Sequence, residues 1–196
     1  AAEKKTAKKA VKKIERLGDD MALLHLQTPR TKRLQFLAGQ SATLETGNGA
    51  EAEYPVASCP CDDRNLQFHI RRVPGDRLSE YVFRRLKNAD IVSLTGPQGD
   101  FTLREDSPHS LIFLAYGTGF APIKSIIEHA MARDVAESMH LYWLAGKDGH
   151  YLNNHCRAWT DALDNFLYTP MEAEPAKSGA ALKQVGRQHP DLAGFD

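Results

Sequence analysis

One stretch constrains the fold of this chain more than any other: Leu-Ile-Phe-Leu-Ala-Tyr-Gly-Thr-Gly-Phe-Ala-Pro-Ile-Lys-Ser-Ile-Ile-Glu-His-Ala, residues 111–130. The unbroken apolar run Leu111 to Ala115 reads as a buried parallel strand, and the apolar positions after Gly119 recur at helical spacing. Between them Gly117-Thr118-Gly119 turns the chain. Such a turn lets backbone approach a ligand, and the free amides at the start of the helix attract phosphate. Pro122 fits the first helical turn, where a missing donor costs little. Glycine-rich turns of this kind also join strand to helix where nothing binds, and the third glycine of the longer dinucleotide fingerprint is absent.

The rest of the chain supplies the context. The first hundred residues read as β: Val11 to Leu17, Met21 to Gln27, Gln40 to Glu45, Leu66 to Val73 and Ala89 to Thr95 are short apolar-rich runs between turn signals. Gly18-Asp19-Asp20 suits a hairpin between the first two. The pattern predicts an antiparallel β-barrel, six-stranded in the resemblance drawn below, over residues 1–106. Leu66, Phe68 and Ile70 share one face of their strand, with Gln67, His69 and Arg71 on the other. The helix after it reads as Glu80 to Leu86, with Ser79 as its N-cap. Its start follows Arg71 and Arg72 and forms a second candidate anion site.

The polar segment Glu105 to Ser110 marks a boundary. Beyond it strands alternate with helices: strand 111–116, helix 120–133, strand 140–145, helix 151–164, strand 166–169 and helix 180–189, with a loop over 172–179. This predicts a doubly wound parallel sheet over residues 107–196. The fold class is thus a β-barrel followed by an α/β domain.

Charge excludes little but excludes it cleanly. Among 196 residues Lys plus Arg equals Asp plus Glu at 25 each, so no net field favours nucleic acid or an anionic membrane. The lysines from Lys4 to Lys13 read as a solvated linker and strand edge. No apolar run reaches the length of a membrane span, and the start lacks a secretory apolar centre, which points to the cytoplasm. Cys59-Pro60-Cys61 suits neither a zinc knuckle nor a Cys-x-x-C pair, and Cys59 and Cys61 read as small reduced residues in a loop or strand end, with proximity to a cofactor as the alternative. No metal site is expected. His129, His150 and His155 read as surface residues, and no catalytic acid or base is assigned.

Six motifs, in order and covering nearly the whole chain, resemble the ferredoxin–NADP reductase superfamily: Phe36-Leu37-Ala38-Gly39-Gln40, Tyr54-Pro55-Val56-Ala57-Ser58, His69-Ile70-Arg71-Arg72, Gly75 to Ser79, Gly96 to Phe101, and Gly117 to Pro122. The likeness is strongest to the bacterial oxygenase reductases and the reductases of deoxysugar synthesis. It implies a flavin-dependent reductase component that passes electrons from NADH through FAD, rather than FMN, to a ferredoxin-type 2Fe-2S domain or protein and an oxygenase. It also implies roles. Tyr54 packs on the isoalloxazine; Pro55, Val56, Ala57 and Ser58 follow the ring edge; His69, Ile70 and Arg71 flank the ribityl and phosphate side. Gly75, Leu78 and Ser79 take the flavin pyrophosphate, and Gly117, Thr118 and Gly119 meet the nicotinamide nucleotide.

Three departures qualify that implication. Ala52 stands where the family carries a phosphate-neutralising arginine, and Pro55 stands where it carries a hydroxyl facing flavin N5. A final strand with a Cys-Gly-Pro-type turn is implied, and the sequence ends at Ala193-Gly194-Phe195-Asp196, where that strand is expected to begin. The alternative is a reductase-like subunit that binds flavin without oxidising NAD(P)H. Met171-Glu172, following the strand 166–169, favours NADH because a carboxylate repels a 2′-phosphate; Lys147 pulls toward NADPH.

Overall fold

A computed structural model describes residues 5–104 and 109–189. The chain forms two compact units, one of residues up to Leu103 with 121–132, the other of Arg104–Phe120 with the residues from Arg133 onward.

The first unit is built on six antiparallel strands, β1 (Lys5–Leu17), β2 (Met21–Gln27), β3 (Ser41–Glu45), β4 (Glu51–Pro55), β5 (Asn65–Arg71) and β6 (Ile91–Gln98), and one helix, α1 (Arg77–Arg84). The sheet order is β4-β3-β6-β1-β2-β5, and its ends approach each other where the Ala57 amide donates to the Gln67 carbonyl at 2.8 Å. The expected six-stranded barrel is therefore present. Alternation fills it: Leu24, Leu26, Leu44, Phe68 and Ile70 point inward and are fully buried, and α1 adds Leu78, Val82 and Phe83 to the same cluster. Gly18, at φ +75°, makes the expected turn between β1 and β2.

The lysine-rich start departs from expectation. β1 lies between β6 and β2 as an interior strand rather than an edge. Lys9 is buried, its ammonium donating to the Lys32 carbonyl, while Lys8, Lys12 and Lys13 stay exposed. Alternation, rather than charge, decides which lysine enters. The strand Glu51–Pro55 carried no separate sequence signal, because two glutamates and a terminal proline mask a short run.

The second unit holds a parallel sheet ordered β7-β8-β9, with β7 (Leu111–Tyr116), β8 (Met139–Ala145) and β9 (Phe166–Glu172). Around it run α3 (Asn153–Ala162) and α4 (Ser178–Gln188), and α2 (Phe120–Arg133) leaves from the end of β7. β8 is buried on both faces. β7 is not: Leu111, Phe113 and Ala115 are buried, whereas Leu114 and Tyr116 are 46% and 41% exposed. Its apolar run thus marks a parallel edge strand covered on one face only among the described residues. Ala193–Asp196 and most of the polar boundary segment lie outside the described residues. No described helix is long and apolar enough to cross a membrane.

Within this unit His140 stacks on Tyr142 at 4.0 Å and lies 2.8 Å from the Thr169 hydroxyl. Burial, and secondarily His189, lowers its pKa to about 4 from the ordinary 6.5. The unfolded chain therefore binds this proton first as pH falls, so stability is fully present above 6.5 and declines toward about 4. Urea denaturation followed by the fluorescence of Trp143 and Trp159, both in the second unit, should show that unit weakening across that window. His140→Gln should flatten the dependence, and an unchanged slope would assign it to other groups.

Candidate flavin and nucleotide sites

The sequence-predicted residues fall in two groups. Tyr54–Ser58, His69–Arg71, Gly75, Leu78 and Ser79 lie in the first unit, and Gly117–Gly119 in the second.

In the first group, β4 runs into the segment Val56–Ser58, which lies along β5. Val56 and Ala57 donate their amides to Gln40 and Gln67, and the Ser58 hydroxyl accepts from the Gln67 amide at 3.1 Å. From the other side α2 reaches the same segment: Lys124 Nζ lies 3.1 Å from the Ala57 carbonyl, and Ser125 Oγ 2.7 Å from the Ser58 carbonyl. Lys124 is 3% exposed, and Gln67 Oε1 at 3.2 Å and Glu128 at 2.8 Å satisfy its other donors. Neither Lys124 nor Ser125 was singled out in the sequence. The signal was there, a cation and a hydroxyl set inside the apolar stripe Ile123 to Ile127.

Tyr54 is half-buried at the end of β4. Burial, with a smaller push from the Asp76 carboxylate, raises its hydroxyl pKa to about 12, so it stays a neutral aromatic at any working pH. The segment before α1 thus places a negative charge within electrostatic reach of Tyr54. A further tie joins α1 to the β3–β4 turn, where Arg77 donates to the Asn48 carbonyl at 2.9 Å.

Ser79 is not the N-cap. Asp76 caps α1, its carboxylate accepting from the Ser79 amide at 2.8 Å, because Pro-Gly-Asp sets the cap three residues before Ser79. Ser79 is fully buried, and its hydroxyl accepts from the Val73 amide at 3.0 Å. It closes the segment before the helix and has no face to solvent. The arginines also part company. Arg72 pairs with Glu80 at 2.8 Å, and Glu80 in turn pairs with Arg84. Arg71 is exposed, with no ion pair among the described residues. Of the two, Arg71 is the cation available to a ligand phosphate. Val56, Ile70 and Leu78 send their side chains into the barrel core, and His69 is 3% exposed, so none of these four side chains faces solvent. Gly75, at φ +83° with open space where a Cβ would stand, leaves bare backbone at the surface.

These features fit a dinucleotide flavin: a rigid aromatic face, an unpaired guanidinium and exposed glycine backbone before a helix. Ala52 adds no charge. Ala52 and Tyr54 both pack partly on the core.

In the second group Gly117-Thr118-Gly119 forms a 3-10 turn leading into α2. Trp143 fixes it, donating its indole N–H to the Gly117 carbonyl at 3.0 Å while stacking on Phe120 at 4.1 Å. Gly117 needs glycine for its φ of +55°. Gly119 needs it for neither φ nor packing, since a Cβ there would meet nothing within 4 Å. Its bare backbone at the C-terminal end of a parallel strand fits the close approach of a phosphate group. Met171 and Glu172 are the last residues of β9 rather than part of the loop after it. Glu172 nevertheless sits exposed at the same end of the sheet.

Two sequence readings of cysteine and histidine change. Cys59 and Cys61 form a disulfide instead of remaining reduced. His129 lies on α2 with Nδ1 4.0 Å from Cys59 Sγ, and His150 bonds the Trp143 carbonyl at 2.7 Å, so neither is a bare surface residue.

Comparison with known proteins follows the same division. Residues 8–103 match the family model of the oxidoreductase FAD-binding domain. The chain is 34% identical over 199 residues to CDP-6-deoxy-L-threo-D-glycero-4-hexulose-3-dehydrase reductase of Yersinia pestis, covering 99% of this chain and 60% of that protein. It is 35% identical over 150 residues to terephthalate 1,2-dioxygenase reductase component 2 of Comamonas sp, covering 76% of this chain and 44% of that one. The crystal structure of the Amycolatopsis cytochrome P450 reductase GcoB superposes with a TM-score of 0.83 at 27% identity, over 98% of this chain and 60% of that chain. The chain thus spans between about two fifths and three fifths of the length of these relatives. With a barrel matching an FAD-binding model, a parallel-sheet unit following it in sequence and relatives that are reductases, the chain belongs to the ferredoxin–NADP reductase superfamily.

Proposed function

We propose that this chain is the flavin- and nicotinamide-nucleotide-binding part of a reductase component that passes electrons from NADH through FAD to a ferredoxin-type 2Fe-2S acceptor and onward to an oxygenase or dehydrase partner. The observation that carries this reading is the coincidence of the FAD-binding model over residues 8–103 with the six-stranded barrel, whose residues include Tyr54, Arg71 and Gly75. The reading assigns residues 1–106 to the flavin and residues 107–196 to NAD(P)H, and it takes the protein to be cytoplasmic.

FAD, when bound, would supply the redox chemistry that links a two-electron hydride donor to a one-electron acceptor. The chain's own residues bind and orient. In this reading Tyr54 gives a flat apolar face, kept neutral by its raised pKa. The backbone of Pro55–Ser58 is held rigid by Lys124 and Ser125, so the ring edge meets a wall that does not yield. Arg71 neutralises phosphate, the amides near Gly75 take the pyrophosphate, and Gly117–Gly119 meets the pyrophosphate of NAD(P)H. Pro55 provides no hydroxyl at its position, so alignment of the ring falls to Tyr54 and the backbone. Glu172 at the end of β9 supports NADH over NADPH, since it accepts from a ribose hydroxyl and repels a 2′-phosphate.

The direct test is anaerobic addition of NADH to the flavin-loaded protein. Bleaching of the flavin absorbance is the expected result. Tight flavin binding without bleaching would instead identify a reductase-like subunit that does not oxidise NAD(P)H.

Two substitutions probe the phosphate side. Arg71→Ala should weaken FAD binding, and Ala52→Arg should strengthen it, each by about one to two decades in Kd, the equivalent of one charge-assisted contact of about 1.5–3 kcal/mol. Fluorescence titration of the stripped protein reads both. An unchanged Kd for Arg71→Ala would remove that residue from the site.

A further inference from the structure

The segment between β4 and β5 carries chemistry that the reductase reading does not use. Cys59 and Cys61 are joined across a single residue, Pro60. A disulfide stabilises chiefly by removing freedom from the unfolded chain, and even a 15-residue loop gives only about 3 kcal/mol, so a bridge over one residue is a poor staple. In the cytoplasm proposed above, disulfides are as a rule transient, and either catalytic or redox-sensing.

The two sulfurs sit in unequal surroundings. Cys61 is exposed, whereas Cys59 is 6% exposed. The Cys59 sulfur accepts from the Cys61 amide at 3.2 Å and lies 4.0 Å from His129 Nδ1. Ser125 anchors the preceding carbonyl at 2.7 Å, so the loop is held against α2 with the imidazole fixed beside one sulfur. Attack is directed by access to the sulfur and by how well the other leaves as a thiolate. Here access selects Cys61, while an amide donor and an imidazole stand ready at Cys59 for the leaving thiolate.

We propose that Cys59–Cys61 is a thiol–disulfide exchange site reduced by a dithiol. One thiolate of the dithiol attacks Cys61 Sγ, forming a mixed disulfide as the Cys59–Cys61 bond breaks, and Cys59 leaves as the thiolate and takes up a proton beside His129. The second thiol of the dithiol then attacks its own sulfur of the mixed disulfide, releasing Cys61. The pair has gained two electrons and two protons, and the dithiol departs as its cyclic disulfide. The reverse sequence restores the bridge.

The test counts thiols and holds whether or not flavin is bound, so its outcome is separable from that of the NADH experiment. The native, full chain is incubated with dihydrolipoate, quenched with N-ethylmaleimide and mapped by peptide mass spectrometry. Cys59 and Cys61 should gain label together and lose it together when lipoate is in excess, while Cys156, fully buried and outside the bridge, labels only after denaturation. His129→Ala and the polar variant His129→Gln should both slow reduction severalfold, because a Cys59 thiolate without the imidazole beside it is a poorer leaving group. The proposal is overturned if dihydrolipoate opens the bridge only in denaturant, or if both cysteines label in the air-oxidised protein before any reductant is added. An unchanged rate in both His129 variants would overturn the role given to that imidazole.

Discussion

The first unit depends on one buried ammonium. Lys124 has three N–H donors and, at 3% exposure, no water to give them to; the Ala57 carbonyl, Gln67 Oε1 and Glu128 take all three. A buried cation without such partners costs several kcal/mol, so the arrangement is demanding: α2, β5 and the segment after β4 must all be in place for Lys124 to be satisfied. Ser125 adds a second tether one residue on. Together they fix the backbone of Val56–Ser58, the stretch assigned to the flavin ring edge. A helix that leaves the Gly117-Thr118-Gly119 turn thus spends most of its length holding the barrel's rim.

How the rim divides its polar groups follows from the same economy. Groups that fold the rim are used up internally: Asp76 caps α1, Ser79 closes the segment to Val73, and Arg72 pairs with Glu80. What is left over is what the proposed flavin site uses. Arg71 is exposed beside them, Gly75 presents open backbone, and Tyr54 offers a ring kept neutral by burial. The same logic separates the two glycines of the Gly117-Thr118-Gly119 turn: the backbone angle explains Gly117, and Gly119 is left to the nucleotide site proposed above.

Much of the fold was legible because period and punctuation are local. The alternation of Leu66, Phe68 and Ile70 set their inward face, and the switch to helical spacing after Gly119 set α2. What escaped depended on tertiary partners. β4 is written with glutamates and gains its place only by pairing with β3. Lys9 looked like its exposed neighbours until strand alternation turned it inward. The exposure of Leu114 and Tyr116 follows from the position of β7 at the edge of its sheet, which an apolar run alone does not reveal. At the site, Ser79 was misread because a serine before a helical stripe is an ordinary cap; the aspartate three residues earlier competes for the same amides and wins. The bridge between Cys59 and Cys61 depends on loop geometry that spacing does not encode.

The central claim is that the barrel rim, and not some other surface of the first unit, receives the flavin. Amide hydrogen–deuterium exchange of the stripped protein, with and without FAD, tests it most directly, since ligand contact and local rigidity both slow exchange. The account predicts slowed exchange across residues 52–58 and 69–79, centred on Tyr54, Arg71 and Gly75. Protection confined to other segments, or none at saturating FAD, would contradict it.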